Sequence, residues 1–594
     1  MSLYDDASLI MYPSGYKADK IYSLKPTDGS GDLDFTRSND TATRVNSAGL
    51  IEKVRTNLLL QSNTFDTTWV NTNSTETGGQ ADKDGTSNAW LLQSTIASGE
   101  AYLRQTISAS GSNRFSIYAK AGTANFLGIY INATSGADPF AYFNLSTGAV
   151  GTTNASASIV SVGSGWYRCS VAYDATIANV DVYVTTADGS FLSNTGDNIV
   201  IQSSQLESGD IATDYIPTTT NAVSVGMTAD IPRIDYTGGG CGKLLLEPQR
   251  TNIITFSEQL DNAAWDTTED LIIIANATTS ADGNINAENV IPDATLAFHR
   301  VKQTNTVSLS TPYTLSVYVK PNGYNFFLIR TNAGTSNNVG FDLTNGTITF
   351  SAPGYSGFIS EVGNGWYRLG YVASYDITTV EFGFRSQPTA QTDNTISQFT
   401  GDGTSGAFIW GAQLEQGSYA TSYIPTLSAA STRGQDACSK TGISELIGQT
   451  EGVIFVDFQL DQAPSDANGR LLQVWATNDT TNSIIPLVNQ SRQLQITTFN
   501  ASLGTPVIPS GASTLLELGQ NKIAVAYTST SIVVYRNGVL FASGDPTGYF
   551  PTSLTSLDLG GSSFATRNLG NPISQAILFP TRLTNDELAS LTTL

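Results

Sequence analysis

Histidine occurs once, and methionine and cysteine three times each, in 594 residues. The single histidine, His299, leaves a Ser-His-Asp or Cys-His arrangement only one place to be built, and no Gly-x-Ser-x-Gly elbow accompanies it. Cys169, Cys241 and Cys438 are odd in number, far apart and outside any C-x-x-C pair, so neither a disulfide framework nor a zinc site is supported. Positive charge is also scarce. Lys and Arg total 29 against 51 Asp and Glu, a net charge of −22 with no basic run, which repels a phosphate backbone and opposes anionic lipid. Nucleic acid is therefore not expected as a partner. Membrane insertion is not expected either, because the longest aliphatic runs, such as Leu271-Ile272-Ile273-Ile274, fall far short of the ~20 residues that span a bilayer. P-loop and dinucleotide fingerprints are missing. The opening Met1-Ser2-Leu3-Tyr4-Asp5-Asp6 has early acids and no basic stretch leading into an apolar one, so no secretory signal is expected.

What is present is glycine (54 residues), Ser, Thr and Asn, with 10% aromatics and only 13% charged residues, the profile of many short strands joined by tight turns. The chain also carries one module twice. Gly165-Trp166-Tyr167-Arg168, Gln205-Leu206-Glu207 and Tyr215-Ile216-Pro217-Thr218 return in order as Gly365-Trp366-Tyr367-Arg368, Gln413-Leu414-Glu415 and Tyr423-Ile424-Pro425-Thr426. Arg55-Thr56-Asn57 pairs with Arg250-Thr251-Asn252, Trp69 with Trp265, and Phe143-Asn144-Leu145-Ser146-Thr147-Gly148 with Phe341-Asp342-Leu343-Thr344-Asn345-Gly346. The spacing grows along the module: Arg55 to Arg250 is 195 positions, Gly165 to Gly365 is 200, and Gln205 to Gln413 is 208. Insertions between fixed words mark a duplicated domain and not a solenoid, whose periods run roughly 20 to 50 residues.

These patterns predict an all-β chain: a first jelly-roll module at 55–218, a connector at 219–249, a second module at 250–427, a connector at 428–450, and a third, unrelated sandwich at 451–594. Residues 1–54 are too short for a core of their own and read as a frayed tail or an extended docking arm. Arg536-Asn537-Gly538 predicts a hairpin turn, and Thr584-Asn585-Asp586-Glu587 a capping box before a short helix.

Sugar recognition needs flat aromatic faces beside hydrogen-bonding side chains, which makes Trp166, Tyr167, Trp366, Tyr367 and Trp475 candidates. Against this, a word kept in both copies of a diverged duplication points to folding, and the same logic makes Trp69, Trp265 and Trp410 core residues. Gln205, Glu207, Gln413 and Glu415 read as structural repeat words. Each module offers one such Glu with no second acid at an informative spacing, so no catalytic residue is assigned and no enzyme is expected. No cofactor is required. A structural Ca²⁺ stays open at Asp82-Lys83-Asp84-Gly85, Asp282-Gly283 or Asp402-Gly403, although Asp-Gly is foremost a turn dipeptide. His299 reads as a surface strand residue.

The linked Gly-Trp-Tyr-Arg, Gln-Leu-Glu and Tyr-Ile-Pro-Thr words resemble the carbohydrate-binding-module-like jelly rolls of tailed-bacteriophage structural and fibre proteins. The Arg-Thr-Asn openings, the junction Leu244-Leu245-Leu246-Glu247-Pro248-Gln249-Arg250 and the segment Asp34-Phe35-Thr36-Arg37 with Ala42-Thr43-Arg44-Val45-Asn46 are similar to the same group. Residues 451–594 resemble the concanavalin A-like (laminin G-like) sandwich often appended to such fibres. The resemblance implies a virion protein, a head or tail fibre or decoration, assembled in the host cytoplasm. It would dock on capsid, portal or tail adaptor through the N-terminal arm, bind host surface glycans, and often be a homotrimer. The alternatives are a polysaccharide depolymerase or glycosidase with binding modules, and a bacterial surface adhesin.

Overall fold

The computed structural model describes residues 3–266, 269–333, 335–464, 469–475, 481–501, 503–561 and 568–594. Almost all of its regular structure is antiparallel strand, arranged in two compact units: Val54–Gly226, and Met1–Lys53 together with Met227–Leu594.

In the Val54–Gly226 unit the chain passes back and forth between two sheets, as a jelly-roll sandwich does. One sheet runs Ala149–Thr153, Phe140–Asn144, Phe126–Ala133, Ile177–Thr185, Gly99–Ala109 and Leu192–Ser193, with Val70–Thr72 also paired to Gly99–Ala109. The other runs Ser156–Gly163, Trp166–Asp174, Ser112–Ala121, Asn198–Ser208, Ala89–Ser94 and Ser74–Gln80. Strand alternation sends Leu103, Leu127, Ile129, Val180 and Val182 of the first sheet, and Phe115, Ile117, Cys169, Val171 and Ile201 of the second, into one core. The residues between them on the first sheet face outward.

The larger unit holds the second jelly roll. Its six-stranded sheet runs Leu271–Thr279, Ile285–Pro292, Gly406–Gln416, Pro312–Asn322, Trp366–Ser374 and Tyr355–Gly363, and its five-stranded sheet runs Val301–Thr306, Thr379–Gln387, Phe326–Ala333, Thr335–Asp342 and Thr347–Ser351. The duplication extends to backbone torsions. Gly163, Ser164 and Gly165 have φ of 92°, 53° and 77°, and Gly363, Asn364 and Gly365 have 94°, 53° and 77°, the left-handed turn that delivers each Trp to the start of its strand.

The same unit contains the C-terminal β-body, whose strands link into one sheet that closes on itself. Glu451–Leu460 lies between Gly519–Thr528 and Ile573–Phe579. Residues 3–54 are largely extended, and the extension is taken up within the chain. Leu9–Lys17 pairs with Ile573–Phe579 and with Lys20–Lys25, and Leu33–Thr36 pairs with Ala437–Thr441. Leu9, Met11, Ile21, Leu33 and Phe35 enter the same core as Ile454, Val456, Ile523 and Leu578. The expected connectors contribute too, through Ile234, Leu244, Leu246, Cys438 and Ile443. The boundary at 54 falls within one residue of the division between the two units, whereas those at 249 and 450 lie inside the larger unit, where the short strands Leu9–Lys17 and Leu33–Thr36 find partners hundreds of residues away.

Candidate functional site

The repeated words are clamps. Glu207 and Glu415, both buried, use their two carboxylate oxygens on the exit loop: Thr213 N–H and Oγ donate to Glu207 at 2.9 and 2.5 Å, and Thr421 N–H and Oγ to Glu415 at 2.8 and 2.6 Å. Gln205 and Gln413 donate to these carboxylates at 2.7 and 2.6 Å, and each accepts a backbone N–H from Ile216 or Ile424 at 2.7 Å. Asn57 and Asn252 each tie four backbone groups together. Arg168 and Arg368 donate at 3.0 Å to Ser116 and Ser316 while lying over the rings of Tyr118 and Tyr318. A carboxylate whose two oxygens both accept hydrogen bonds inside a core holds the exit loop in place.

The expected sugar-stacking residues fare accordingly. Trp166 and Trp366 are each 1% exposed and present no face to a ligand. Tyr167 and Tyr367 are half-buried and lie against Gly148 and Gly346, where an added Cβ would meet their rings at 2.6 and 3.2 Å. The Gly-Trp-Tyr-Arg word thus packs on the Phe-x-Leu-x-x-Gly word. Trp475, half-buried, ends the strand Leu472–Trp475. Trp69, Trp265 and Trp410 are buried. His299, expected at the surface, is fully buried, because its ring nitrogens sit at 2.6 Å from the Asp270 carbonyl and 2.9 Å from the Phe399 carbonyl.

A different set of side chains converges on the outer face of the first sandwich's seven-stranded sheet. The register places Tyr102 opposite Tyr183, Tyr183 opposite Gly128, and Gly128 opposite Tyr142; the next row holds Arg104, Asp181, Tyr130 and Phe140. Phe191 arrives from the loop after Ile177–Thr185 and settles over Gly128, where any Cβ would meet its ring at 2.9 Å. Its centroid lies 4.4 Å from that of Tyr183, 4.6 Å from Tyr142 and 5.7 Å from Tyr130, and Tyr102 lies 4.7 Å from Tyr183. Tyr102, Tyr130, Phe140 and Phe191 remain half-exposed. Arg104 holds Asp181 in a two-pronged pair at 2.7 and 2.6 Å, which fixes the guanidinium flat on the sheet. The hydrogen bond to Asp138 pushes the Tyr130 phenol up to about 12, and burial does the same for Tyr142. The arrangement is a wide aromatic platform edged by fixed polar groups.

The same face of the second sandwich is chemically unlike it. Gln105 and Gln303 anchor the comparison, since each exchanges two hydrogen bonds with the backbone of the opening segment, at Leu60 and at Thr255. They face Val180 and Phe382, so Arg300 stands where Tyr102 does, Lys302 for Arg104, Gly383 for Asp181, Arg385 for Tyr183 and Arg330 for Tyr130. A cleft of about 420 Å³ opens beside Lys302, Gln303, Thr304 and Glu381. The informative signal in the sequence was thus divergence: these positions alternate with core residues on strands that both copies keep.

The turn acids opened for calcium are engaged locally. Asp82 accepts the N–H groups of Asp84 and Thr86 at 2.9 and 2.7 Å, Asp402 those of Thr404 and Ser405 at 2.8 and 2.6 Å, and Asp282 pairs with Lys53 at 3.2 Å. Among the described residues no three His, Cys, Asp or Glu side chains gather as metal ligands.

No family model and no curated protein matches the chain. Solved structures similar to parts of it include the sialidase carbohydrate-binding module CBM40 of Ruminococcus gnavus, at 18% identity and TM-score 0.20 over 24% of this chain and 84% of that one. The tandem CBM22 domain of Paenibacillus barcinonensis Xyn10C matches at 9% identity and TM-score 0.20, over 61% and 96%. Mouse laminin α1 domains LG4-5 match at 11% and 0.17, over 48% and 86%. At these scores the likenesses carry no argument, and the fold rests on the strand pairing above.

Proposed function

We propose that the first sandwich binds a saccharide chain on the outer face of its seven-stranded sheet, without turning it over. The observation that carries this is the convergence of Tyr102, Tyr130, Phe140, Tyr142, Tyr183 and Phe191 on a face that neither the core nor the repeated words require. Aromatic rings offer the C–H-rich sides of pyranoses a flat partner, and the Arg104–Asp181 pair supplies directional polar contacts beside them. Binding without hydrolysis is supported by the occupation of both oxygens of Glu207 and of Glu415 within their clamps. A glycan array probed with the intact chain, followed by calorimetry on the best ligand, tests the reading. Tyr102→Ala, Tyr130→Ala and Phe191→Ala should each weaken binding about tenfold. Unchanged affinity in all three removes the site, and release of reducing ends from the ligand would convert the reading into an enzyme.

The role we infer for this binding is adhesion by a tailed-phage virion, as a trimeric head or tail fibre or decoration. It is supported by the resemblance of the linked repeat words and by the gain of ~10²–10⁴-fold that several weak sites acquire when they engage together. A particle reconstruction that places the chain at symmetric positions is the expected result; a chain found only as a free monomer would overturn it.

A further inference from the structure

The duplicated face of the second sandwich gathers Arg300, Lys302, Arg330 and Arg385. Arg385 alternates with Phe382 and Phe384, which point into the core, so its side chain lies on the outer face, yet it is only 4% exposed. Phe399 covers it, with the guanidinium 4.6 Å from the ring centroid, as Phe191 covers Tyr183 in the first sandwich. Arg385 Nε and Nη1 are buried and have no hydrogen-bond partner among the described residues. A buried guanidinium with unmet N–H groups is costly unless an anion meets them. Burial, and then repulsion from Arg300 and Arg330, pushes its pKa down to about 10.

Of the acids nearby, Glu269 and Asp266 are engaged with neighbours, and Glu381 stands beside Lys302 at the edge of the cleft. Glu269 grips Arg300 with two bonds of 2.7 and 2.6 Å and reaches Lys302 at 3.1 Å, and Asp266 lies 3.3 Å from Lys302. Arg330, half-exposed, donates to Ser336 and sits opposite Gly383, one row from Arg385. Gly383 itself admits no Cβ without crowding Lys302 Cγ at 3.0 Å.

We propose that this face is a second saccharide site selective for an anionic sugar, one bearing a carboxylate or a sulfate ester, which Arg385 and Arg330 hold. It rests on the glycan-binding reading and extends it: the duplication kept the scaffold and split the ligand chemistry, neutral rings over the tyrosines and anionic groups over the arginines.

The test uses the intact chain and four probes by calorimetry: an oligogalacturonate, its methyl ester, a sulfated neutral oligosaccharide, and inorganic sulfate. The expected result is binding of the oligogalacturonate or the sulfated sugar, weakened tenfold or more by Arg385→Met and by Arg330→Gln, and falling with added salt. Which of the two sugars binds identifies the anion, and inorganic sulfate binding lost in the same variants supports the seat independently of the sugar. Arg330→Gln, at a half-exposed position, keeps the test meaningful if Arg385→Met fails to fold. Equal affinity for the oligogalacturonate and its methyl ester with no binding of the sulfated sugar, or anion binding unchanged in both variants, overturns the proposal. Tyr130→Ala run in parallel separates the failures: neutral-sugar binding that this variant abolishes, without any anion binding, defeats only the second site.

Discussion

Glu415 illustrates how a residue that looks chemical becomes structural. Its carboxylate accepts three hydrogen bonds in a site with no solvent exposure, and Glu207 repeats two of the loop bonds and the glutamine bond at nearly the same lengths. Glu415→Ala should lower stability by about 2–3 kcal/mol, because Thr421 N–H and Gln413 Nε2 lose a charged acceptor while staying buried. Urea unfolding measures this, and saccharide affinity should not move. Asn252→Ala should cost a comparable amount, since one amide serves the backbone at Ala412, Ile424, Ile254 and Leu414. The recurrence of these words was legible in the sequence, and it identified the scaffold. The binding faces were not legible, because Tyr102, Tyr183 and Phe191 acquire meaning only when register brings four strands and a loop together.

Local elements were readable where their determinants are local. Thr584 caps Asn585–Thr592 by accepting Glu587 N–H at 3.3 Å, and Glu587 answers by accepting Thr584 N–H at 2.8 Å. Asn537 and Gly538, at φ of 49° and 86°, form the hairpin turn between Ser531–Arg536 and Val539–Gly544. The fate of residues 1–54 was hidden, because Leu9 pairs with Leu578 and no local signal records that. Removing residues 1–36 should therefore cost far more than a tail would: Leu9, Met11, Ile21, Leu33 and Phe35 leave the core, and Ile573–Phe579 gains a bare edge. Limited proteolysis should show rapid cleavage within 451–594 and retention of a resistant 54–226 fragment. Lys53 makes the same point at the second sandwich. Burial alone would lower its pKa, but Glu258 at 2.6 Å and Asp282 at 3.2 Å hold the ammonium well above its ordinary value. Lys53→Met strands two acids and should destabilise that unit by about 3–5 kcal/mol, read as a lower unfolding midpoint.

At the scale of the whole chain, two compact units should give two thermal transitions, and acid should separate them. The larger unit is tied through a buried knot of charges in which Glu247 accepts from Arg233 at 2.7 Å and Ser422 at 2.7 and 2.9 Å, with Arg433 2.8 Å away; Arg37 and Arg233 also share Asp436. Burial pushes the Glu247 carboxyl up, but Arg433 and Arg233, with the Ser422 bond, pull it far below the ordinary 4.5. A folded pKa below the unfolded one means the unfolded chain binds the proton first as pH falls. The stability Glu247 contributes is therefore complete above about pH 4.5 and drains away below it. Calorimetry between pH 6 and pH 3 should show the larger unit's transition fall more steeply than that of Val54–Gly226. Glu247→Gln should lower that transition at pH 6 and flatten its acid dependence, because the group that takes up the proton is gone while Arg233 and Arg433 remain buried. If the variant keeps the full acid slope, the knot is not what couples this unit to pH, and other carboxylates must carry the proton uptake.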